Sequence, residues 1–258
     1  MDAMSDLSAL NLEAGSLVGG YTLISRLGSG AMGSVWRVRD DGGHQYAMKI
    51  LRDSLAEEDA SGERSRDQLT ARERLRREAM ALQKVRHPGV CGIVDMELDD
   101  ALAFIVTELI DGKNLREDVR VNGRYVGDDL ERLGRKLIEA VKAVHAAGIV
   151  HRDIKPANLL LDEAGEVHVS DFGLAFLLQG RNEVIEKEGA QSGTLRYMSP
   201  ERLGHGVNTF SSDQYAFGVT LYELVAKSPP FPGLAPEELM ERICREPVPP
   251  LKCSEPDL

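Results

Sequence analysis

The sequence predicts an α+β protein in which a part built from antiparallel strands precedes a larger, mainly helical part. Three observations support this prediction. Residues 21–51 form short apolar-rich runs separated by glycine-rich turns, as strands do. Residues 129–147 repeat apolar residues at helical spacing, and residues 213–224 have the composition of a buried helix. With 258 residues, 42% of them hydrophobic, the chain can bury a large core.

A glycine-rich loop joins the first two predicted strands. The strand that begins at Tyr21 runs directly into Gly28-Ser29-Gly30-Ala31-Met32-Gly33, and residues 35–39 then alternate as a second strand. A third strand covers residues 45–51. In a dinucleotide-binding unit the glycines open a helix instead. The strand context therefore excludes that unit and favours a loop whose backbone N–H groups approach phosphate oxygens.

The segment after the third strand is highly charged. Residues 53–72 predict a solvated insertion, helical or mobile, whereas residues 74–85 carry apolar residues at helical spacing. Glu78 lies on the apolar face of this second segment, so it can point towards the strand that contains Lys49. Glu73 is the alternative acid that could face this strand, because a helical face alone does not show which turn of the helix lies next to Lys49.

The rest of the chain is predicted to change from strands to helices. We expect two strands near residues 92–97 and 102–108, and then helices at residues 115–120 and 129–147. Gly148 is in place to end the second of these helices. A last helix is expected near residues 236–245.

One stretch carries the densest chemistry. Residues 151–158 read His-Arg-Asp-Ile-Lys-Pro-Ala-Asn, and Asp171-Phe172-Gly173 follows after a short alternating strand at residues 167–169. Pro156 keeps the first segment from being helical. The sequence therefore predicts an active-site loop that brings Asp153, Asn158 and Asp171 together around a phosphate-bound metal ion.

These motifs resemble the signature of the protein kinase superfamily. The glycine loop, with Gly-Ala-Met-Gly at residues 30–33, resembles that of bacterial Hanks-type serine/threonine protein kinases. The resemblance implies a bilobal kinase fold over residues 21–258. Residues 21–110 would form a small antiparallel sheet lobe with one helix and the hinge, and residues 111–258 a mainly helical lobe that lacks the family's last helices.

The resemblance implies an enzyme that transfers the γ-phosphate of ATP to Ser or Thr hydroxyls of proteins, including possible autophosphorylation, with Mg²⁺ as cofactor. Asp153 would accept the hydroxyl proton, and Asn158 and Asp171 would hold the metal. The other implied catalytic residues are Lys155, Lys49 with its partner Glu78, and Thr194, which would bond Asp153 and Lys155. The implied nucleotide-binding residues are Leu27, Gly28, Ser29, Gly30, Gly33, Val35, Ala47, Lys49, Glu108, Ile110 and Leu160.

Further roles are implied for residues around the site. Thr107 would lie at the back of the adenine pocket, and His151 would pack beneath the loop. Residues 193–201 would dock the substrate, with Ser199 in place of the usual alanine. Asp213 would anchor the catalytic-loop backbone, cap its helix, or do both.

The resemblance implies that the segment from Asp171 to Glu201 is an activation segment, and its central part contains few hydroxyl residues. Between Gly173 and Thr194 the sequence has only Ser192. Where bacterial relatives often carry phosphorylated threonines, this chain has Glu186 and Glu188. We hypothesise that these glutamates take the place of phosphate; ordinary solvated charge is the alternative.

Composition restricts the partners and the compartment. The formal net charge of −11 argues against binding to nucleic acids or to anionic membranes. The three cysteines have no paired spacing, which argues against disulfides and zinc sites. Residues 1–20 are acidic, without the features of a secretory signal, and predict a flexible leader. No window is apolar enough to span a membrane. These features predict a cytoplasmic protein.

Two functions from different classes remain open at this stage. The first is an active serine/threonine protein kinase, which the intact motifs favour. The second is a truncated, silent or weak nucleotide-binding or scaffolding module, because the family's last helices are absent from this chain. In the family an arginine from that region pairs with the residue at the Glu201 position, so we expect Glu201 to be unpaired here. A small-molecule kinase is a third, less favoured function.

Overall fold

The computed structural model of the chain describes residues 12–30, 33–51, 66–98, 102–173 and 193–251, with only the backbone for residues 66–72. The described residues form two compact units. Unit 1 contains the residues up to Gln83 and the segment Gly92–Leu109. Unit 2 contains Lys84–Cys91 and the chain from Ile110 onward.

Unit 1 is built on a six-stranded sheet with the strand order β1-β2-β3-β4-β6-β5. All neighbouring strands in it are antiparallel. The strands are β1 (Leu17–Val18), β2 (Tyr21–Gly30), β3 (Gly33–Arg39), β4 (Gln45–Leu51), β5 (Ile93–Glu97) and β6 (Phe104–Glu108). One helix, α1 (Arg66–Leu82), lies between β4 and β5 in the chain. The predicted antiparallel sheet with one helix is confirmed.

One face of this sheet forms the core of unit 1. Ser34, Trp36 and Val38 are buried at alternating positions of β3, as expected for a strand with one buried face. Trp36 and Val38 pack with Met48 and Val106 in one hydrophobic cluster. The buried indole Nε1 of Trp36 donates a hydrogen bond to Ser34 Oγ at 2.9 Å, so this polar atom is satisfied inside the core.

The segment before β2 differs from the prediction of a flexible leader. Val18 in β1 is only 5% exposed and belongs to the core cluster of unit 1. Gly19 has φ +55°, and a Cβ built on it would lie 2.1 Å from Cζ of the buried Phe104 ring. The segment is polar and small overall, but Val18 and the close approach at Gly19 fix it to the sheet. Residues 1–11 lie outside the described ranges.

Helix α1 also differs from its predicted bounds. It begins at Arg66, inside the segment that was expected to be an insertion, and it ends at Leu82, before the predicted end at residue 85. Residues 66–72 contain few apolar residues, so periodicity could not reveal them, although residues such as Arg and Gln have good helix propensity. The predicted apolar face is confirmed, because Leu75 and Leu82 are fully buried.

Unit 2 is mainly helical, as predicted, with one small sheet of strand order β7-β8-β9. The strands are β7 (Gly112–Asn114), β8 (Leu159–Asp162) and β9 (Val167–Val169). The helices are α2 (Leu115–Asn122), α3 (Gly127–Ala146), α4 (Pro200–His205), α5 (Phe210–Ala226) and α6 (Pro236–Arg245). The described residues between these elements also form 3-10 turns at Pro156–Asn158 and Thr194–Tyr197.

Helix α3 delivers the chain to the active-site loop. It buries Leu133, Leu137 and Val144 along one face, as the periodicity predicted. Gly148 follows with φ +77°, a conformation that favours glycine, and its N–H bonds the carbonyl of His145 at 2.9 Å. The helix therefore ends where predicted, and the next residues turn into the loop.

Helix α5 begins at a capping box that the sequence analysis did not identify. Ser212 N–H donates to Thr209 Oγ1 at 3.3 Å, and Thr209 N–H donates to Ser212 Oγ at 3.2 Å. The N-cap is therefore Thr209, and the prediction of Asp213 as the cap is wrong. Asp213 lies one residue beyond the capping box and is 1% exposed. Its carboxylate accepts hydrogen bonds from the backbone of residues 151 and 152 instead of capping the helix.

The last described helix covers part of the core of unit 2. Leu239 and Ile243 of α6 are buried in one cluster with Leu195, Met198 and Leu203. Within the described ranges, no helix is both long and apolar enough to cross a membrane.

We predict that Gly19→Ala destabilises the protein because the new methyl group must displace the buried Phe104 ring. Gly20→Ala is the matched control, since Gly20 also has positive φ, +84°, but no atom lies within 4 Å of the point that its Cβ would occupy. The backbone change alone costs about 1–2 kcal/mol. Overpacking should add about 1–3 kcal/mol at Gly19 only. Urea unfolding measures both variants, and equal losses would contradict the packing argument.

Candidate active site

The active-site loop is anchored by one buried carboxylate in unit 2. Asp213 of α5 accepts hydrogen bonds from the backbone N–H groups of His151, at 2.7 Å, and Arg152, at 2.8 Å. Its Oδ2 also accepts from His145 Nε2 at 2.8 Å, and the His145 ring packs 4.5 Å from the ring of Phe210. The predicted anchoring of the loop by Asp213 is thus present, and His145 is an addition that the sequence analysis did not foresee.

The anchored loop has an unusual backbone conformation. Arg152 has φ +70° and Asp171 has φ +52°, which non-glycine residues adopt rarely. Such a conformation costs on the order of 1–3 kcal/mol and persists only where surrounding contacts impose it. At Arg152 these contacts include the bond to Asp213 and a hydrogen bond from its own Nη1 to Val150 O at 3.1 Å.

Asp153 follows Arg152 and has two differently placed carboxylate oxygens. Oδ2 accepts hydrogen bonds from Lys155 Nζ at 2.9 Å and from Asn158 Nδ2 at 2.8 Å. Oδ1 is buried, and no described residue donates a hydrogen bond to it. Because a buried oxygen without a donor is costly, this atom is an acceptor available for a group that none of the described residues supplies.

Lys155 joins the loop to the segment that precedes α4. Its Nζ donates to Thr194 Oγ1 at 2.9 Å while it also pairs with Asp153, and both members of that ion pair are only 13% exposed. The predicted bond between Thr194 and Lys155 is therefore present. The ammonium group places a fixed positive charge beside Asp153.

The imidazole of His151 is a structural part of the loop, as predicted. Asp153 N–H donates to Nδ1 at 3.2 Å, while Nε2 lies 3.1 Å from Ser170 O, which can only accept. These two bonds select the neutral Nε2–H tautomer. Burial lowers the pKa of His151 in agreement with this assignment. The ring also packs 4.6 Å from that of Phe172.

The two predicted metal ligands belong to adjoining segments. Ser170, the neighbour of Asp171, donates through both N–H and Oγ to the carbonyl of Asn158, at 2.9 Å each. Asn158 Nδ2 donates to both the carbonyl and the carboxylate of Asp153, which leaves the amide oxygen for other ligands. Together with the carboxylate of Asp171 this gives an oxygen donor set, the kind that Mg²⁺ prefers. The residues present therefore fit the implied metal.

The glycine loop belongs to unit 1. Gly28 and Gly30 lie at the end of β2 opposite Val35 and Gly33 of β3, so the predicted hairpin is present. Residues 31–32 lie outside the described ranges. Gly33 has φ +141°, and a Cβ there would lie 2.0 Å from Ile50 O, so only glycine fits.

Lys49 lies on the face of the sheet opposite the core. Met48 and Ile50 are buried, whereas Ala47 and Lys49 between them are half-buried. Val35 lies directly across from Lys49 on β3, so these three residues share one face. On α1, Glu78 is half-buried and Glu73 is exposed, which favours Glu78 as the inward acid. An ion pair between Lys49 and Glu78 stays a prediction.

The end of β6 carries the residues predicted to meet adenine. Thr107 lies opposite Ala47 of β4. Glu108 N–H donates to Gly92 O at 3.1 Å, and Glu108 Oε2 accepts from Gly92 N–H at 3.1 Å. The N–H of Glu108 is therefore already hydrogen-bonded, and a contact of this residue with adenine stays a prediction. Ile110, the first residue of the second segment of unit 2, is half-buried, as is Leu160, whereas Leu27 is 48% exposed.

Comparison with known proteins now assigns the family. Residues 21–255 match the family described as protein kinase domain. The chain belongs to the protein kinase family.

Several bacterial kinases are similar to this kinase domain. A probable serine/threonine-protein kinase of Corynebacterium efficiens is 36% identical over 236 residues, which are 89% of this chain and 34% of that protein. Serine/threonine-protein kinase PknA of Mycobacterium tuberculosis is 33% identical over 254 residues, 94% of this chain and 54% of that protein. Probable serine/threonine-protein kinase PknB of Lactococcus lactis is 32% identical over 215 residues, 83% and 32% respectively. The chain spans about a third to a half of the length of these curated relatives.

Tyr197, in the segment 193–201 that is predicted to dock the substrate, is hydrogen-bonded to two helices. Tyr197 OH donates to Glu223 Oε2 on α5 and accepts from Arg116 Nη2 of α2 at 3.3 Å. Burial and the neighbouring Glu223 carboxylate raise the pKa of the Tyr197 phenol well above its usual range, so it stays protonated. No local sequence pattern indicates this network, because its members lie far apart in the chain.

Glu201 is not the unpaired carboxylate that was expected. Ser212 Oγ donates to Glu201 Oε1 at 2.8 Å, so the capping box of α5 also satisfies this acid of α4. Burial acts to raise the pKa of Glu201, but the hydrogen bonds to its carboxylate, of which the bond from Ser212 is the largest contribution, together outweigh burial and lower the pKa overall. The expectation failed because it considered only the family's arginine partner.

The structure does not describe the residues on which the hypothesis of phosphate replacement rests. Glu186, Glu188 and Ser192 lie outside the described ranges. The idea that the two glutamates replace phosphate stays a prediction.

We predict that Asp213→Asn destabilises the kinase domain. The single carboxamide oxygen of asparagine cannot accept all the hydrogen bonds that the two carboxylate oxygens of Asp213 accept. Each bond to a buried charged group is worth about 1.5–3 kcal/mol, so the free energy of unfolding should fall by about 2–4 kcal/mol. Urea unfolding measures this loss. Asp128→Asn at the exposed start of α3 is the control and should cost less than about 1 kcal/mol. A similar loss in both variants would contradict the anchoring role.

We predict that the cost of Ser212→Ala depends on pH through Glu201. Because the folded protein lowers the pKa of Glu201, the stabilisation by Ser212 is full at neutral pH and is lost as pH falls through that pKa. The destabilisation should be about 1–3 kcal/mol at pH 7. It should fall towards the cap's share of about 1 kcal/mol only as the pH drops well below the ordinary glutamate pKa of about 4.3. Urea unfolding across this range tests the effect, and in a Glu201→Gln background the pH dependence should vanish.

Proposed function

We propose that the chain is the catalytic domain of a serine/threonine protein kinase that transfers the γ-phosphate of ATP to Ser and Thr hydroxyls of protein substrates. One observation carries this proposal: Asp153 holds a buried carboxylate oxygen to which no described residue donates, beside a second oxygen fixed by Lys155 and Asn158. Such a carboxylate can receive one hydroxyl group in a defined place.

Asp153 is the proposed base. A Ser or Thr hydroxyl of the substrate donates its hydrogen bond to Oδ1, which orients the oxygen for attack and accepts the proton as phosphate transfer proceeds. Because Oδ2 is held by two donors, the carboxylate cannot rotate to offer the other oxygen without breaking both bonds. General-base positioning of this kind contributes about 10²- to 10⁴-fold in rate.

Lys155 supplies positive charge next to that base. Its bonds to Asp153 and Thr194 hold the ammonium in place. The transition state of phosphoryl transfer spreads negative charge over the phosphoryl oxygens, so a fixed cation stabilises it more than the ground state. Thr194 thereby connects the base to residues 193–201, the proposed docking segment for protein substrates.

Asn158 and Asp171 are the proposed ligands of Mg²⁺. When bound, the metal neutralises phosphate charge and orients the oxygens of ATP. The fit of the two residues rests on their oxygen donors and on the bonds from Ser170, which hold the two segments together. Asn158 also binds Asp153, so one amide group contributes to both the base and the metal site.

The glycine hairpin and Lys49 of unit 1 are the proposed phosphate-binding groups. Backbone N–H groups of a glycine loop can approach phosphate oxygens because no side chains intervene. Lys49, on the non-core face beside Val35 and Ala47, would bind the α- and β-phosphates, with Glu78 as its partner.

We predict that Asp153→Asn removes phosphate transfer while leaving nucleotide binding. The measurement is Mg²⁺-dependent transfer from γ-labelled ATP to a generic basic protein, followed by identification of the labelled amino acids. The variant should lose about 10²- to 10⁴-fold in kcat, and label should be on Ser and Thr. Asp128→Asn, an exposed acid on α3, is the matched control and should remain fully active.

Three outcomes would contradict the proposal. If Asp153→Asn retains the activity of the parent, the transfer does not use this base. If the parent transfers nothing although ATP raises its melting temperature, the chain is a nucleotide-binding or scaffolding module. Label on a small molecule but on no protein would point to a small-molecule kinase.

A further inference from the structure

We propose that Arg202 is a positioning residue of the active-site loop: its buried guanidinium holds the carbonyl of Arg152 and so fixes the peptide that leads into Asp153. This inference rests on the proposed function for its catalytic consequence. Its structural part, the clamp on the loop, can be tested without turnover.

The geometry of Arg202 is unusual for a charged side chain. Arg202 lies in the short helix α4 and is only 8% exposed, although arginines are seldom buried unless they are paired. Its Nη1 donates a hydrogen bond to the carbonyl oxygen of Arg152. A backbone carbonyl carries a strong dipole, so a guanidinium bond to it is stronger than a bond between neutral groups.

This bond completes a clamp on both sides of one residue. The N–H of Arg152 donates to Asp213 of α5 at 2.8 Å, while its C=O accepts from Arg202 of α4. Between these two bonds Arg152 keeps its left-handed φ of +70°. Two helices therefore hold the backbone in a conformation that a free chain would leave.

Fixing that carbonyl also fixes the backbone N–H of Asp153. The C=O of Arg152 and the N–H of Asp153 belong to one planar peptide group, which rotates as a unit. The N–H side of this plane donates to His151 Nδ1 at 3.2 Å. Without Arg202 the plane would lose the charged donor on its carbonyl side, and the carboxylate of Asp153 would be freer to shift.

Helix α4 is itself held firmly enough to serve as a support. Leu203, next to Arg202, is buried in the cluster with Leu195 and Leu239. Glu201, on its other side, accepts the hydrogen bond from Ser212 of α5. The backbone beside Arg202 is thus fixed by packing on one side and by a hydrogen bond on the other.

The test compares Arg202→Met, which keeps length and packing but has no donor, with Arg202→Lys, which keeps a charged donor. Arg245→Met, on the exposed side of α6, is the matched control. We expect Arg202→Met to lower kcat by about 10- to 100-fold, because small misplacements of catalytic groups cost that much. The KM for ATP should change by less than about threefold, and Arg202→Lys should recover most of the loss.

Hydrogen exchange of the segment 150–158 supplies a readout that needs no activity. In Arg202→Met this segment should exchange about tenfold faster than in the parent, while α3 and the strands of unit 1 keep their protection. Should the parent itself transfer no phosphate, the proposed function fails, and the exchange comparison still decides whether the clamp exists.

Three results would overturn the inference. The first is unchanged exchange of residues 150–158 in Arg202→Met. The second is a kcat within about twofold of the parent. The third is a loss confined to KM. If Arg202→Met does not fold, Arg202→Gln takes its place, because glutamine is uncharged and too short to reach the same carbonyl; equal behaviour of the Lys and Gln variants would count against the clamp.

Discussion

The conformation of the active-site loop in this kinase domain depends on the hydrogen bonds that the buried carboxylate of Asp213 accepts. This carboxylate binds the N–H groups of two successive loop residues, His151 and Arg152, and so sets the left-handed turn from which Asp153 projects. Helix α5 holds Asp213 in a fixed position because the N-terminus of the helix is capped by Thr209 and Ser212. Further along, Ala216 and Val219 of α5 pack against Ile154 and Tyr197, so the loop rests on the same helix that anchors it. Rigid support of this kind is what a reaction governed by positioning requires.

The carboxylate of Asp153, the proposed base, is held at a cost in stability. A fully satisfied carboxylate would be more stable, yet here one oxygen is buried without a donor among the described residues. The strained backbone at Arg152 and Asp171 adds to this cost. Contacts elsewhere offset it: the bonds of Asp213, the pair of Lys155 with Asp153, and the tautomer-specific bonds of His151. A site that was optimal for folding alone would provide a hydrogen-bond donor to Oδ1 of Asp153.

Local patterns predicted most elements of the fold. Helix α3 and strand β9 follow from apolar periodicity, and the end of α3 follows from Gly148. The first turns of α1 escaped because residues 66–72 contain few apolar residues. The strand at Leu17–Val18 escaped because two residues are too short to show a period.

The site residues divide in the same way. Asp153, Lys155 and Asn158 were predicted because they lie within one short motif, and the structure shows them hydrogen-bonded to one another. Ser212, Arg202 and the Tyr197–Glu223 pair were missed, since each makes its contact through space to a residue 11 or more positions away. No local pattern encodes such a contact; it becomes readable only when the helices that bring the residues together are known.

The packing of Val18 and Gly19 has a practical consequence for where the domain begins. The family match begins at residue 21, whereas the folded unit includes residues from at least 15, because Gly15 N–H already bonds Leu23 O at 2.8 Å and Val18 contributes to the core. A recombinant domain cut at the family boundary would expose the Phe104 end of β6, the strand that leads to Thr107 and Glu108. Domain limits taken from sequence matching and from packing are therefore different quantities in this protein, and the second should guide how the domain is produced.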